Sequence, residues 1–191
     1  MSEALKREVE KSVTLLRQGK VLLYPTDTIW GIGCDATNSK AIDRIFKLKN
    51  RSEQKSMIVL LDTADKLKQY VEDVPSIAYD LIENAASPIT IVFDNARNLP
   101  KSLVASDGSI AIRVVQGDYC VDVIRQLGRP LVSTSANLSG EPAPQSFLQI
   151  PEIIKEKVDY VVDVHRTRIR TIRPSTLIKL EKNGSFSILR L

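Results

Sequence analysis

Apolar positions recur along this chain at two spacings, and the switches between them mark out its elements. Leu5, Val9, Val13 and Leu16 fall three or four residues apart, which predicts a helix over 3–18 that Gly19 stops. Residues 21–25 (VLLYP) are a continuous apolar run cut off by Pro25, as in a buried strand. Ser39 is placed to cap a helix carrying Ala41, Ile42, Ile45, Phe46 and Leu48 on one face. The run 57–61 (MIVLL) predicts a central strand, a helix opens at Asp62 or Thr63, and another spans 76–86. Residues 89–93 and 109–115 have strand patterning, 118–128 is an amphipathic helix ending at Gly128, and 130–134 is a short strand. A Gly-, Pro- and Ser-rich loop fills 135–146. Beyond it come a helix near 147–157 and strands near 159–164, 175–180 and 185–190. Some strands are joined by helices and others by short turns, as at Asn183-Gly184. The prediction is a single domain over 1–191 built on a mixed α/β sheet with helical cover.

Composition narrows the function classes. Hydrophobic residues make up 43% and charged residues 26% of the 191, which suits a packed globular core rather than a disordered chain. The charge of +4 favours phosphate-bearing partners without suggesting a nucleic-acid-wrapping tail. A lone histidine, His165, leaves too few ligands for a zinc site, and it reads as a surface residue beside Asp163. Cys34 and Cys120 read as small buried residues of a reducing, cytoplasmic compartment. The apolar runs are too short to span a membrane, and the charged first eleven residues do not form a signal peptide.

Three segments carry candidate chemistry. In YPTDTIWGIGCDA (24–36), Gly31, Gly33 and Ala36 imitate a dinucleotide fingerprint, but six residues separate them from the apolar run, so the glycines read as a turn needing positive φ. The Pro25–Thr28 stretch reads equally as a turn or as a polar ligand cradle at a strand end. Lys47, Lys49, Arg51 and Lys55 form either a solvated helix end or a phosphate clamp, and no P-loop sequence exists to hold a nucleotide otherwise. Residues 132–140 place four hydroxyls and Asn137 directly after a strand, where ligands of α/β proteins gather.

Taken in order, YPTDTIWGIGCDA (24–36), Lys49-Asn50-Arg51 with Lys55, AIRV (111–114), STSANLSGEPAP (133–144) and RPSTLIKL (173–180) resemble the YrdC/Sua5 family of threonylcarbamoyl-AMP synthases. The resemblance implies an open, twisted mixed parallel and antiparallel sheet with flanking helices around a concave basic cavity. It implies a reaction joining L-threonine, bicarbonate and ATP, with Mg²⁺, into threonylcarbamoyl-adenylate and pyrophosphate. Partner proteins then transfer the group to adenosine 37 of tRNA, while tRNA or double-stranded RNA is itself bound weakly. By position, Thr28, Arg113, Ser133 and Ser175 surround threonine. Arg51, Lys55, Ser109, Ser135, Asn137 and Arg190 face ATP, and Lys49 and Arg51 are the catalytic cations. Two other readings stand beside this one: an RNA-binding module on the same fold, and a divergent YciO-like paralogue with weak activity. The strip 165–173 departs most from the family. Its alternating Arg166, Arg168 and Arg170 form either a charged edge or a strip that covers the nucleotide or touches tRNA phosphates.

Overall fold

A computed structural model describes residues 2–49, 57–167, 174–181 and 184–191. Among these residues its frame is one nine-stranded sheet in the order β7-β1-β2-β6-β3-β5-β4-β8-β9. The strands are β1 (Leu22–Tyr24), β2 (Gly31–Asp35), β3 (Ile58–Leu61), β4 (Ile89–Phe93), β5 (Ile110–Val114), β6 (Leu131–Ser135), β7 (Tyr160–Val161), β8 (Thr176–Leu180) and β9 (Phe186–Arg190). The pairs β1–β7, β3–β5 and β4–β8 are parallel, and the other five neighbouring pairs are antiparallel. The apolar run 57–61 thus supplies β3, fifth of nine.

Among the described residues six helices flank the sheet: α1 (Glu3–Arg17), α2 (Ser39–Lys49), α3 (Leu67–Tyr70), α4 (Ile77–Asn84), α5 (Asp118–Leu127) and α6 (Glu152–Lys157). Ser2 accepts from the Leu5 N–H and caps α1. Asn38, rather than Ser39, caps α2, its Oδ1 accepting from the Ala41 N–H at 3.1 Å. Gly128 ends α5 at φ +73. Leu5, Val9, Val13 and Leu16 of α1 pack with Tyr119, Val123 and Ile124 of α5 over Leu22, Leu60 and Leu131 on one face of the sheet. On the other face, Ile42, Ile45 and Phe46 of α2 and Ile154 of α6 close over Ile32, Val59 and Ile112. Tyr119 Oη donates to Ser12 Oγ at 2.7 Å, joining α5 to α1.

The structure differs from the sequence expectations in further places, among them a strand near 159–164 that is reduced to Tyr160–Val161. The helix expected near 147–157 is a 3₁₀ turn, Phe147–Gln149, and the short α6. Ile150, preceding Pro151, is extended at ψ 124, as the proline ring requires. The helix expected after Asp62 is a 3₁₀ turn, Ala64–Lys66, running into α3. Most consequentially, Gly31 and Gly33 are not a positive-φ turn but part of β2. Their lack of a side chain serves close packing: a Cβ on Gly33 would stand 1.9 Å from the Val132 carbonyl oxygen, and one on Gly31 2.5 Å from Ser133 Oγ. Arg168, Arg170 and the rest of 168–173 lie outside the described residues.

Candidate functional site

Strand register builds the floor of a large hollow. Ser133 of β6 lies opposite Ile58 of β3, Ile58 opposite Ala111 of β5, Ala111 opposite Val92 of β4, and Val92 opposite Lys179 of β8. Five residues far apart in the chain thereby form one row on the face that carries α1 and α5. Those helices cover Leu60 and Leu131, and the row beside them is left open. The resulting cavity has a volume of about 600 Å³, in the range of small-molecule and cofactor sites.

Eight of the eleven residues expected at a site line this cavity: Thr28, Ser109, Arg113, Ser133, Ser135, Asn137, Ser175 and Arg190. Arg51 and Lys55 lie outside the described residues. Arg113 is 5% exposed and held on two sides. Its Nη1 donates to Thr28 Oγ1 at 2.9 Å and its Nη2 stands 3.2 Å from Asp27 Oδ1. Its Nε–H is buried without an acceptor among the described residues. Asp27 is fixed in turn by the Gln116 N–H. Thr26 Oγ1 donates to the Ile29 carbonyl at 2.7 Å, so the 3.0 Å contact between the Thr26 and Thr28 hydroxyls is made with the Thr28 proton. Thr28 therefore offers the cavity an acceptor and no spare donor. The Pro25–Thr28 stretch is both a turn and a cavity wall, because its internal hydrogen bonds hold the groups that face inward.

Lys49, at the end of α2, is absent from the lining. Its ammonium is turned into the loop after β6. It donates to the Ser135 carbonyl at 2.8 Å, to Asn137 Oδ1 at 3.0 Å and to the Asn137 carbonyl, so its three protons are all engaged. Ser135 Oγ also donates to Asn137 Oδ1, and Asn137 Nδ2 donates to the Glu141 carbonyl. Ser135 and Asn137 are thus clasped from behind by a buried cation, which shapes the cavity rim.

At the opposite wall, Arg190 of β9 donates from Nη2 to the Ser175 carbonyl at 2.9 Å. Partial burial, and then the like charge of Arg113, hold its guanidinium below the usual arginine range. Two guanidiniums therefore feel one another across the cavity. Among the described residues, of the two only Arg113 has a buried carboxylate against it, so an anionic ligand is favoured. Asp107, whose carboxyl is held low by the Ser109 hydroxyl and N–H, and Lys179 complete the far end. Neither Asp107, Lys179, Glu141 nor Trp30 was singled out from the sequence. Trp30, Glu141 and Lys179 all lie inside the segments that carry the family resemblance, and Lys179 is brought to the cavity by its register with Val92.

Other sequence candidates sit elsewhere. Cys34 and Cys120 are buried, and burial pushes both thiols well above the ordinary range, so neither is a ready thiolate. His165 is half-buried at φ +60, lining a hollow of about 50 Å³ behind the Pro25–Trp30 wall. Arg166 donates to the Val161 and Val162 carbonyls, pairs with Asp163 and lies 5.0 Å from the Phe147 ring centroid, which pins the start of its strip against the protein. Among the described residues no three His, Cys, Asp or Glu side chains form a metal cluster, and no helix is long and apolar enough to cross a membrane.

Residues 14–191 match the Sua5–YciO–YrdC family model, described as telomere recombination. The threonylcarbamoyl-AMP synthase of Pseudoalteromonas translucida is 35% identical over 158 residues, covering 81% of this chain and 84% of the relative. The crystal structure of Pyrococcus abyssi Sua5 complexed with L-threonine superposes with a TM-score of 0.87 at 27% identity. It covers 100% of this chain and 55% of its own, so this chain spans about half the length of that Sua5. Escherichia coli YciO, at 22% identity and a TM-score of 0.84, shares the fold.

Proposed function

The chain belongs to the Sua5–YciO–YrdC family, and from that premise we propose that it makes threonylcarbamoyl-adenylate from L-threonine, bicarbonate and ATP. The ammonium of threonine first gives up a proton to solvent, and the neutral amine then attacks the bicarbonate carbon with loss of water, leaving a carbamate. A carbamate oxygen then attacks the α-phosphorus of ATP, and the bond to the departing pyrophosphate breaks. The chemistry is a nucleotidyl transfer, in which positioning and charge neutralisation carry the rate.

One observation supports this reading above the others. Arg113, with an unsatisfied N–H, shares a single cavity of about 600 Å³ with Thr28, Ser133 and Ser175 and with Ser109, Ser135, Asn137 and Arg190. The first four suit an amino acid with a carboxylate and a hydroxyl, and Arg190 suits a nucleotide's phosphates. Arg51 and Lys55 are proposed to complete the phosphate clamp. Lys49 acts by holding Ser135 and Asn137 in place. The carboxylates in the described lining, Asp107 and Glu141, are too few for a dedicated metal site, which fits Mg²⁺ riding on the triphosphate, where it neutralises charge during transfer. The product passes to partner proteins that modify adenosine 37 of tRNA in the cytoplasm, and tRNA itself is bound weakly.

Pyrophosphate release measures the reaction. It is expected only when ATP, Mg²⁺, L-threonine and bicarbonate are all present. Equal release without L-threonine would overturn the proposal.

A further inference from the structure

Beneath the cavity wall lies a buried hydroxyl outside the cavity lining. Thr90, on β4, is 0% exposed and does not line the cavity, yet it shares a face of that strand with the floor residue Val92. Its Oγ1 stands 2.7 Å from the Oγ of Ser175, which does line the cavity and is 2% exposed. The distance alone does not say which hydroxyl donates.

The surroundings do. Among the described residues the Thr90 hydroxyl meets no acceptor other than Ser175 Oγ. If Ser175 donated, the Thr90 proton would be buried with nowhere to go, an arrangement that folded proteins avoid. With Thr90 donating, its proton is satisfied and the Ser175 proton is released to the cavity side. The rest of Ser175 is fixed: its carbonyl accepts from Arg190 Nη2 at 2.9 Å, and the following N–H, of Thr176, donates to the Pro88 carbonyl at 3.1 Å. The side chain thus sits on a pinned backbone with one hydrogen-bond direction already spent.

We propose that Thr90 is a positioning residue for the synthase: by donating to Ser175 Oγ it turns the Ser175 hydroxyl into a donor aimed at an acceptor oxygen of the amino-acid substrate. This rests on the reading of the cavity as the L-threonine site. It makes the two walls complementary, since Thr28 keeps only acceptor capacity while Ser175 becomes a donor. A carboxylate oxygen, drawn to the same cavity by Arg113 and Arg190, can take the Ser175 proton, which an ammonium group cannot.

The test titrates L-threonine alone into the protein, read by the fluorescence of Trp30, the chain's one tryptophan and a cavity residue. It is followed by pyrophosphate-release kinetics. Thr90→Val keeps the shape and removes the donor, and is expected to weaken L-threonine binding roughly five- to tenfold, the scale of one hydrogen bond. The KM for L-threonine rises, while kcat and the KM for ATP stay within about twofold, a split that general loss of structure does not produce. Thr90→Ser restores the wild-type values. Ser175→Ala gives a similar loss, and adding Thr90→Val to it costs nothing further, because the proton Thr90 releases no longer exists. Should Thr90→Val not fold, Thr90→Cys, a weak donor in the same place, carries the same comparison. Additive losses, or equal weakening of ATP and L-threonine, would overturn the inference with the site reading intact. A wild-type protein that does not bind L-threonine would overturn both.

Discussion

A methyl group added at Gly33 would stand 1.9 Å from the Val132 carbonyl oxygen and 2.6 Å from Tyr24 Oη. Backbone in the middle of a sheet cannot move aside, since Gly33 and Ser133 are paired in the β2–β6 ladder. Gly33→Ala is therefore expected to cost about 3 kcal/mol, at the upper end of overpacking. Gly128→Ala serves as the comparison: its backbone is at φ +73 with open space around a Cβ, so only conformational strain of about 1 kcal/mol is expected. Urea unfolding of the two variants measures the difference, and equal losses would show that β2 is not wedged against β6. Lys49 shows the same dependence on context. A cation near a helix C-terminus is ordinarily a solvated end, but here it is 3% exposed and binds two backbone carbonyls of another loop.

Among the elements, Asp159 is a junction. At the entrance to β7 its Oδ2 accepts from the Val21 N–H at 2.7 Å, just before β1, and from Arg44 of α2 at 2.8 Å, while Lys20 lies 3.8 Å from Oδ1. Burial by itself raises the carboxyl, but the Arg44 and Val21 hydrogen bonds and the two nearby positive charges outweigh it, so the group titrates below its ordinary range. With a depressed folded value, the unfolded chain takes up the proton first as the pH falls. The junction's contribution is complete above about pH 4 and is lost through and below it. Asp159→Asn is expected to be less stable by on the order of 1–2 kcal/mol at pH 7, with the gap closing towards pH 3. Denaturant midpoints across that range check this, and a gap independent of pH would show that the carboxylate charge is not what joins β1, β7 and α2.

For the whole molecule, the relevant fact is that the fold leaves its cavity floor uncovered while both other packing surfaces close into cores. Trp30, 6% exposed and 4.9 Å from the Phe147 ring centroid, stands on the rim between cavity and core. Filling the cavity is expected to change Trp30 fluorescence with ATP and with L-threonine separately. At 100 times the dissociation constant either ligand should add about 2.7 kcal/mol of stability, roughly 5–10 °C in Tm. A rise in Tm with silent tryptophan fluorescence would place the ligand outside this cavity.

The local patterns of the chain determine most of its elements, because helical and extended periodicities are properties of neighbouring residues. The run 57–61, the α1 and α5 stripes and the Gly128 stop are all visible there. The segments resembling the YrdC/Sua5 family also point to most of the residues that gather at the cavity. Strand β2 escaped, since Gly31 and Gly33 remove the apolar alternation that marks a strand, for a reason that exists only once β6 and Tyr24 lie against them. The joining of Ser133, Ile58, Ala111, Val92 and Lys179 into one floor was likewise decided by long-range register. So was the turning of Lys49 into the loop behind Asn137, and the placing of Thr90 beneath Ser175. A linear pattern records which face of an element is apolar. Which faces meet, and which polar group is left to point at a ligand, is set by pairings between residues as much as 155 positions apart.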